Sequence, residues 1–211
     1  AWVNVPSSYY AEELTDDAYG SFLSTALWRC NYRYAIDNVM DPMHGAYLHA
    51  KSHSMSTGDK SAQMRLSETG QGWMFEKENQ SGVNFDWVEF ADTGTFWMRL
   101  AIPYRKNAGP GGNFTIIGFV TPVTEHVCQV YFWRVRKVSG WERDTWRFLY
   151  KNRLEGLHWD VLEQDRVVLE AMQDNARTRE SLYQHDAGMT KIRRDLRILA
   201  QKQVNTQTSH A

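Results

Sequence analysis

The chain has 211 residues, enough for one sizeable core, and its length points to a single domain. A formal net charge of −1 and a pI near 6.7 give no electrostatic case for nucleic acid or an anionic membrane surface. The apolar runs are too short to span a bilayer.

Two cysteines, Cys30 and Cys128, allow one disulfide at most, and a reducing cytoplasm is the simpler expectation. The opening Ala1-Trp2-Val3-Asn4-Val5-Pro6 has neither the basic region nor the apolar stretch of a signal peptide. It also lacks an initiator Met, which reads as a processed or truncated chain. Nine Trp, ten Tyr and nine Phe supply large apolar surfaces, which fill cores and also line apolar ligand cavities.

Along the chain, residues 1–25 are polar and turn-rich, with an acidic patch at Glu12, Glu13, Asp16 and Asp17. A strand is expected over Ala26–Tyr34, then a helical stretch from about Ala35 to Ala50, then a loop over Lys51–Lys60. From Ser61 to Lys137 the texture is β, with strands predicted at Trp73–Glu78, Val83–Phe90, Thr95–Ile102, Asn113–Val120 and His126–Val138. Short connections between them favour an antiparallel meander. Helical spacing returns after Gly140, and a basic helix is expected over Lys191–Gln203. Segregation of strands from helices argues an α+β domain, with helices packed on one face of a curved antiparallel sheet.

The chemistry concentrates in Asn38-Val39-Met40-Asp41-Pro42-Met43-His44-Gly45-Ala46-Tyr47-Leu48-His49. Two imidazoles in one short segment call for a third ligand, and Asp165, in Glu163-Gln164-Asp165-Arg166-Val167-Val168, is the candidate. Two His and one carboxylate on one face suit a mononuclear iron(II) site whose opposite face stays open to O₂ and substrate.

Asn38, Asp41 and His44 are spaced by three and share a helix face. His49 would point about 140° away from His44 on an ideal helix, so both reach one ion only if the helix is broken or widened between them. Pro42 and Gly45 permit that. Asp41 suits a supporting role: its carboxylate would accept the second ring N–H of His44. A helix N-cap before Pro42 is the competing role for the same residue.

The stretch Asp37-Asn38-x-x-Asp41-x-x-His44-x-x-x-x-His49, with Glu163-Gln164-Asp165-Arg166-Val167-Val168-Leu169-Glu170-Ala171 downstream, resembles the catalytic domain of Rieske-type non-haem iron aromatic ring-hydroxylating oxygenases. The resemblance covers nearly the whole chain, and Asp-Asn-x-x-Asp before the first His is closer to the phthalate-oxygenase-like branch. It implies a helix-grip, START-like α+β fold around a deep cavity, and iron(II) held by His44, His49 and Asp165. Asp41 would bridge to a Rieske-cluster His of a neighbouring subunit, and Asn38 would stand at the rim of the site. It further implies an aromatic substrate and O₂, a ferredoxin or reductase as electron donor, a homotrimer or a multiple of it, and a possible β subunit.

The chain departs from the family in lacking Cys-x-His and Cys-x-x-His, the pattern that holds a Rieske [2Fe–2S] cluster. Residues 1–211 are therefore expected to be the catalytic domain alone, with the cluster on a missing N-terminal domain or a partner.

Other residues weigh less. His53 reads as a loop residue near the cavity entrance, His158 as a satisfied imidazole two turns before Asp165, His185-Asp186 as a turn before the last helix, and His210 as part of a frayed tail. Arg193, Arg194 and Arg197 read as a solvated or subunit-facing helix side. Lys51, Lys60, Arg99 or Arg105 would receive a substrate carboxylate if one faces the cavity. The rival readings are a helix-grip module that binds an apolar ligand without chemistry, a mononuclear zinc hydrolase on the same three ligands, and an inactive structural subunit.

Overall fold

The computed structural model describes residues 11–49, 58–79, 86–91, 97–104 and 112–208. Seven strands form one antiparallel sheet: β1 (Tyr19–Trp28), β2 (Met64–Glu68), β3 (Gly72–Lys77), β4 (Trp87–Ala91), β5 (Trp97–Tyr104), β6 (Gly112–Thr124) and β7 (Val127–Lys137). Their order is β1-β7-β6-β5-β4-β3-β2, so β2 to β7 are a meander and β1 closes the edge beside β7. The expected meander and α+β class hold.

One face of the sheet carries the main core. Trp28, Trp73, Phe75, Phe90, Phe114, Val130 and Phe132 pack there with Ile36 and Met40, and with Trp146, Tyr150, Leu169 and Ile192 from later helices. Alternation along β7 accounts for the division, since Cys128, Val130 and Phe132 are buried between partly exposed neighbours, while at Arg134–Arg136 both faces are covered. The reverse face holds a smaller cluster of Ala91, Ile117 and Val135, closed by Ala11 and Leu14 of the first turn, α1 (Glu12–Thr15).

The strand expected over Ala26–Tyr34 begins and ends earlier, at Tyr19–Trp28. Asn31 stops it: its side chain accepts the N–H of Arg33 at 3.0 Å and so caps a helix, α2 (Tyr32–Val39), in which Tyr34, Ala35, Ile36 and Val39 turn inward. The single helix expected over residues 35–50 is two. After α2 the chain makes a turn through Pro42 and re-enters helix as α3 (His44–Leu48). The break thus precedes His44 rather than separating the two imidazoles. The short strand β2 was not anticipated.

Three helical segments follow the sheet: α4 (Gly140–Leu149), a π turn (Tyr150–Leu154) and α5 (Glu155–Glu170), continuous in one rod. The last helix, α6 (Ala187–Thr208), is longer at both ends than Lys191–Gln203. It is pinned to α2 by Arg193, whose Nε and Nη2 donate to the buried carboxylate of Asp37 at 2.7–3.1 Å, and which also grips Glu180. Arg193 is therefore an internal clamp, not a solvated helix side.

Cys30 and Cys128 are free buried thiols whose sulfurs lie 3.9 Å apart. No described helix is long and apolar enough to cross a membrane. Lys51, His53, Arg105 and His210 lie outside the described residues.

Gly188 marks where α6 touches the sheet. A Cβ there would stand 2.5 Å from Cδ1 of Phe75, a ring that is itself fully buried. Gly188→Ala is expected to destabilise the protein by about 1–3 kcal/mol, the cost of overpacking, read from the urea midpoint at unchanged slope.

Candidate metal centre

Two elements make the site. α3 delivers His44 at its first residue and His49 just past its last. His49 has left helical geometry (φ −96°, ψ 43°), which lets its ring swing back toward His44 although five residues separate them. The rings meet edge to face, 5.2 Å between centroids and 74° between planes. α5 delivers Asp165 from its inner stripe, where Asp165 and Leu169 are buried.

The three side chains converge. His49 Nε2 lies 3.3 Å from His44 Nε2 and 3.3 Å from Asp165 Oδ1, and His44 Nε2 lies 3.5 Å from that same oxygen. A single ion with bonds of about 2.1 Å can bridge such a triangle. The three are the cluster of potential metal ligands found among the described residues. His49 is fully buried and Asp165 nearly so, whereas His44 keeps 11% of its side-chain surface open.

Second contacts orient each ring. His44 Nδ1 is 2.5 Å from the Asp41 carbonyl oxygen, and His49 Nδ1 is 3.1 Å from Oε1 of Gln164. With Nδ1–H donating to those oxygens, both Nε2 lone pairs face Asp165 Oδ1, which has no hydrogen-bond partner and is buried. Three buried acceptors pointing at one another repel, and a cation at their centre is what relieves them. On that ground the residues fit a metal.

The expectation for Asp41 is corrected in one respect. The acceptor at His44 Nδ1 is its backbone carbonyl, while its carboxylate Oδ1 accepts the Met43 N–H at 2.7 Å and shapes the turn before α3. Asn38 sits on the last turn of α2, where its carbonyl accepts the Asp41 N–H. Arg166, beside Asp165, pairs with Glu163 and Glu170 rather than with it. Lys60 stands 4.6 Å over the ring of Tyr47. Gln164 carried no role in the sequence reading. Its neighbour in the chain gave the only signal, and at one residue from Asp165 it points about 100° away around the helix.

The charges respond to this packing. Burial alone would raise the Asp165 carboxyl, but contacts with His44 and His49 outweigh it and hold it down at about 2. For His44, burial pulls downward, and the Asp165 and Asp41 carboxylates overcome it to raise the imidazole above its ordinary value. Metal-free, the Asp165 contribution to stability is present above the unfolded carboxyl value and lost as pH falls through about 2. The His44 contribution is complete below the unfolded imidazole value and lost as pH rises through its raised one.

Protons and metal therefore compete at His44. The apparent affinity for a divalent ion such as Co²⁺ is expected to climb up to about tenfold per pH unit below the raised His44 value, with proton release on binding, measured by titration calorimetry in two buffers. Gln164→Leu removes the acceptor at His49 Nδ1 and is expected to weaken that affinity about 10–100-fold without unfolding the chain.

A family model described as the vanillate O-demethylase oxygenase C-terminal domain matches residues 28–202. No curated protein matches the sequence. Among solved structures, dicamba monooxygenase with non-heme iron and dicamba is similar with a TM-score of 0.63 at 15% identity, covering 95% of this chain and 63% of that one. The terminal oxygenase of carbazole 1,9a-dioxygenase from Nocardioides aromaticivorans IC177 gives 0.62 at 16%, covering 86% and 58%. An oxygenase variant in the ferredoxin complex of carbazole 1,9a-dioxygenase gives 0.61 at 14%, covering 82% and 54%. The likeness at these identities is one of fold, and the chain spans less than two thirds of the length of these proteins.

Proposed function

This chain belongs to the family of vanillate O-demethylase oxygenase C-terminal domains, and from that premise we propose that it is the oxygen-activating domain of a Rieske-type aromatic oxygenase. The observation that supports this most directly is the buried convergence of His44 Nε2, His49 Nε2 and Asp165 Oδ1 within 3.3–3.5 Å. In this reading those three atoms hold iron(II). When bound, iron supplies a redox-active centre with open positions for O₂ and a substrate.

The chain's own side chains do the rest. The Asp41 carbonyl and the Gln164 amide fix both imidazoles with Nε2 turned to the centre. Burial of His49 and Asp165 keeps water from competing at those two positions, and the open edge of His44 marks the side from which a substrate approaches. The surrounding Met40, Met43 and Ala46 are buried and apolar, which suits an aromatic substrate.

In this reading residues 1–211 hold no Rieske cluster. The two cysteines face each other as buried thiols between β1, α2 and β7, and no histidine is hydrogen-bonded to either among the described residues. The reading therefore assigns residues 1–211 to the catalytic domain and places the [2Fe–2S] centre outside those residues, on a further domain or a partner. A ferredoxin or reductase would be its donor, and a neighbouring subunit of a trimer the bearer of the cluster next to Asp41.

The test is reconstitution with iron(II) under anaerobic conditions, followed by O₂ and a reduced Rieske donor. One iron per chain and ¹⁸O from ¹⁸O₂ in an aromatic product are the expected results. Tight zinc without O₂-dependent product, or an apolar ligand bound without any metal, would replace this reading with a hydrolase or a binding module. Asp165→Ala, His44→Ala and His49→Ala are each expected to lose iron, measured by metal analysis. Asp41→Asn keeps both the carbonyl at His44 and an oxygen for the Met43 N–H, so it should retain iron while product formed per O₂ consumed falls.

A further inference from the structure

Two nucleophilic side chains that the metal site does not use meet at the root of α2. Cys30 and Cys128 are free thiols, 5% and 0% exposed, and their sulfurs lie 3.9 Å apart. Among the described residues, neither sulfur has another hydrogen-bond partner. The fold makes this contact, since 98 residues separate the two. β1 pairs with β7 as far as Trp28 opposite Cys128, and Cys30, two residues on, turns into the same core.

The chain around Cys30 is tethered on both sides. Before it, the Arg29 N–H donates to Oε1 of Glu170, at the end of α5, at 2.9 Å. After it, Asn31 Nδ2 donates to the Glu125 carbonyl, in the turn between β6 and β7, at 2.8 Å. Oδ1 of the same Asn31 caps α2. Cys30 Sγ is thereby kept against Cys128 Sγ, and two reactants held in contact have most of their ordering already done.

The two thiols are not equivalent. Cys30 follows the exposed Arg29, and the Cys128 S–H holds its sulfur below the ordinary thiol value against the opposing effect of burial. The Cys30 sulfur, and burial after it, push Cys128 up. The Glu170 carboxylate opposes ionisation of both, but it is itself paired with Arg166. Cys30 is thus the nucleophile of the pair and Cys128 the thiol that resolves what forms on it.

We propose that Cys30 and Cys128 are a modification site for hydroperoxides, at which oxidation closes a disulfide that staples the root of α2 to β7. The Cys30 sulfur attacks the terminal peroxide oxygen and the O–O bond breaks. The alcohol or water that leaves carries the Cys30 proton, and a sulfenic acid remains. The Cys128 sulfur then attacks Cys30 Sγ: the S–S bond forms, the S–O bond breaks, and hydroxide departs with the Cys128 proton as water. The thiols give up two electrons and the peroxide takes them. α2 leads into the turn before His44, and α5 carries Asp165, so the staple stands where both arms of the triad are rooted. None of these steps uses a metal, so the proposal does not rest on the oxygenase reading.

The experiment treats the reduced full chain with excess hydrogen peroxide under native conditions, with a chelator present so that iron does not divert the oxidant. The product is alkylated after denaturation and read by intact mass and peptide mapping. Free thiols should fall from two to none, with the loss of two hydrogens and a Cys30–Cys128 cross-link that dithiothreitol reverses. The bond closes a 98-residue loop, so the folded-to-unfolded ratio in urea should rise about 30-fold or more. In Cys128→Ser, dimedone should trap a sulfenic acid at Cys30, and in Cys30→Ser the Cys128 thiol should survive. Survival of both thiols in the wild type, higher oxides without the cross-link, a cross-link between chains, or a disulfide that leaves the urea midpoint unmoved would each overturn the proposal. So would dimedone on Cys128 in Cys30→Ser. Should either serine variant fail to fold, the wild-type peptide map and urea midpoint decide alone.

Discussion

The centre of this molecule is a meeting of three atoms that can each offer a lone pair to one cation. His44 Nε2, His49 Nε2 and Asp165 Oδ1 are held within 3.5 Å of one another, in surroundings that exclude most water. Two imidazoles that were free to rotate would turn their N–H groups toward the carboxylate. The Asp41 carbonyl and Gln164 Oε1 prevent this by taking the Nδ1 protons for themselves. The cost of the arrangement is carried by packing elsewhere and is recovered when a cation occupies the centre, so the fold and the site are thermodynamically linked.

The rigidity that this requires comes from two devices away from the triad. The rod formed by α4, the π turn and α5 carries Tyr150 and Asp165 on one continuous backbone, and the π turn changes its phase by a fraction of a turn. Trp146 and Tyr150, four residues apart on one face, both reach the core and pack at 5.3 Å, and the change of phase after them leaves Asp165 facing α3. On the other side, the forked pair of Arg193 with Asp37 locks α6 onto α2. Burial raises the Asp37 carboxyl and Arg193 opposes it, so the pair is a balance rather than a large gain. Its value is positional: α2 leads directly into the turn that presents His44.

Much of this was legible in the sequence, for reasons that differ element by element. Residues 72–77, 87–91 and 127–137 announce strands because aromatic and β-branched residues alternate there, and their short connections leave antiparallel pairing as the economical solution. The first strand was misplaced because Tyr19-Gly-Ser-Phe-Leu-Ser-Thr is a small and polar run. It is β only because its whole length pairs with β7, a long-range contact that local propensity does not contain. The two imidazoles and the late aspartate were readable as ligands by residue type. What brings His49 round to His44 was not, since it depends on a non-helical ψ at the end of α3 and not on the spacing. Gln164 and the Arg193–Asp37 clamp were equally invisible, because each partner lies more than a hundred residues from the group it serves.

The interior is also polarised in a way that neither end explains alone. Asp165 is the only carboxylate among the three convergent ligands, and the Asp41 carboxylate adds to its pull on His44, so that end of α5 is built to hold positive charge. Further toward the start of α5, His158 and Tyr150 share a hydrogen bond, and both carry the influence of the Arg134 guanidinium on β7. Phe114 packs against His158, and Leu162 lies between His158 and Asp165 along α5, supplying surface but no charge. Low polarizability around Arg134 makes its charge felt further than it would be in water. An unpaired guanidinium and a ligand set held ready for a cation each carry an electrostatic cost, and the packing of α5 against the sheet is what sustains both.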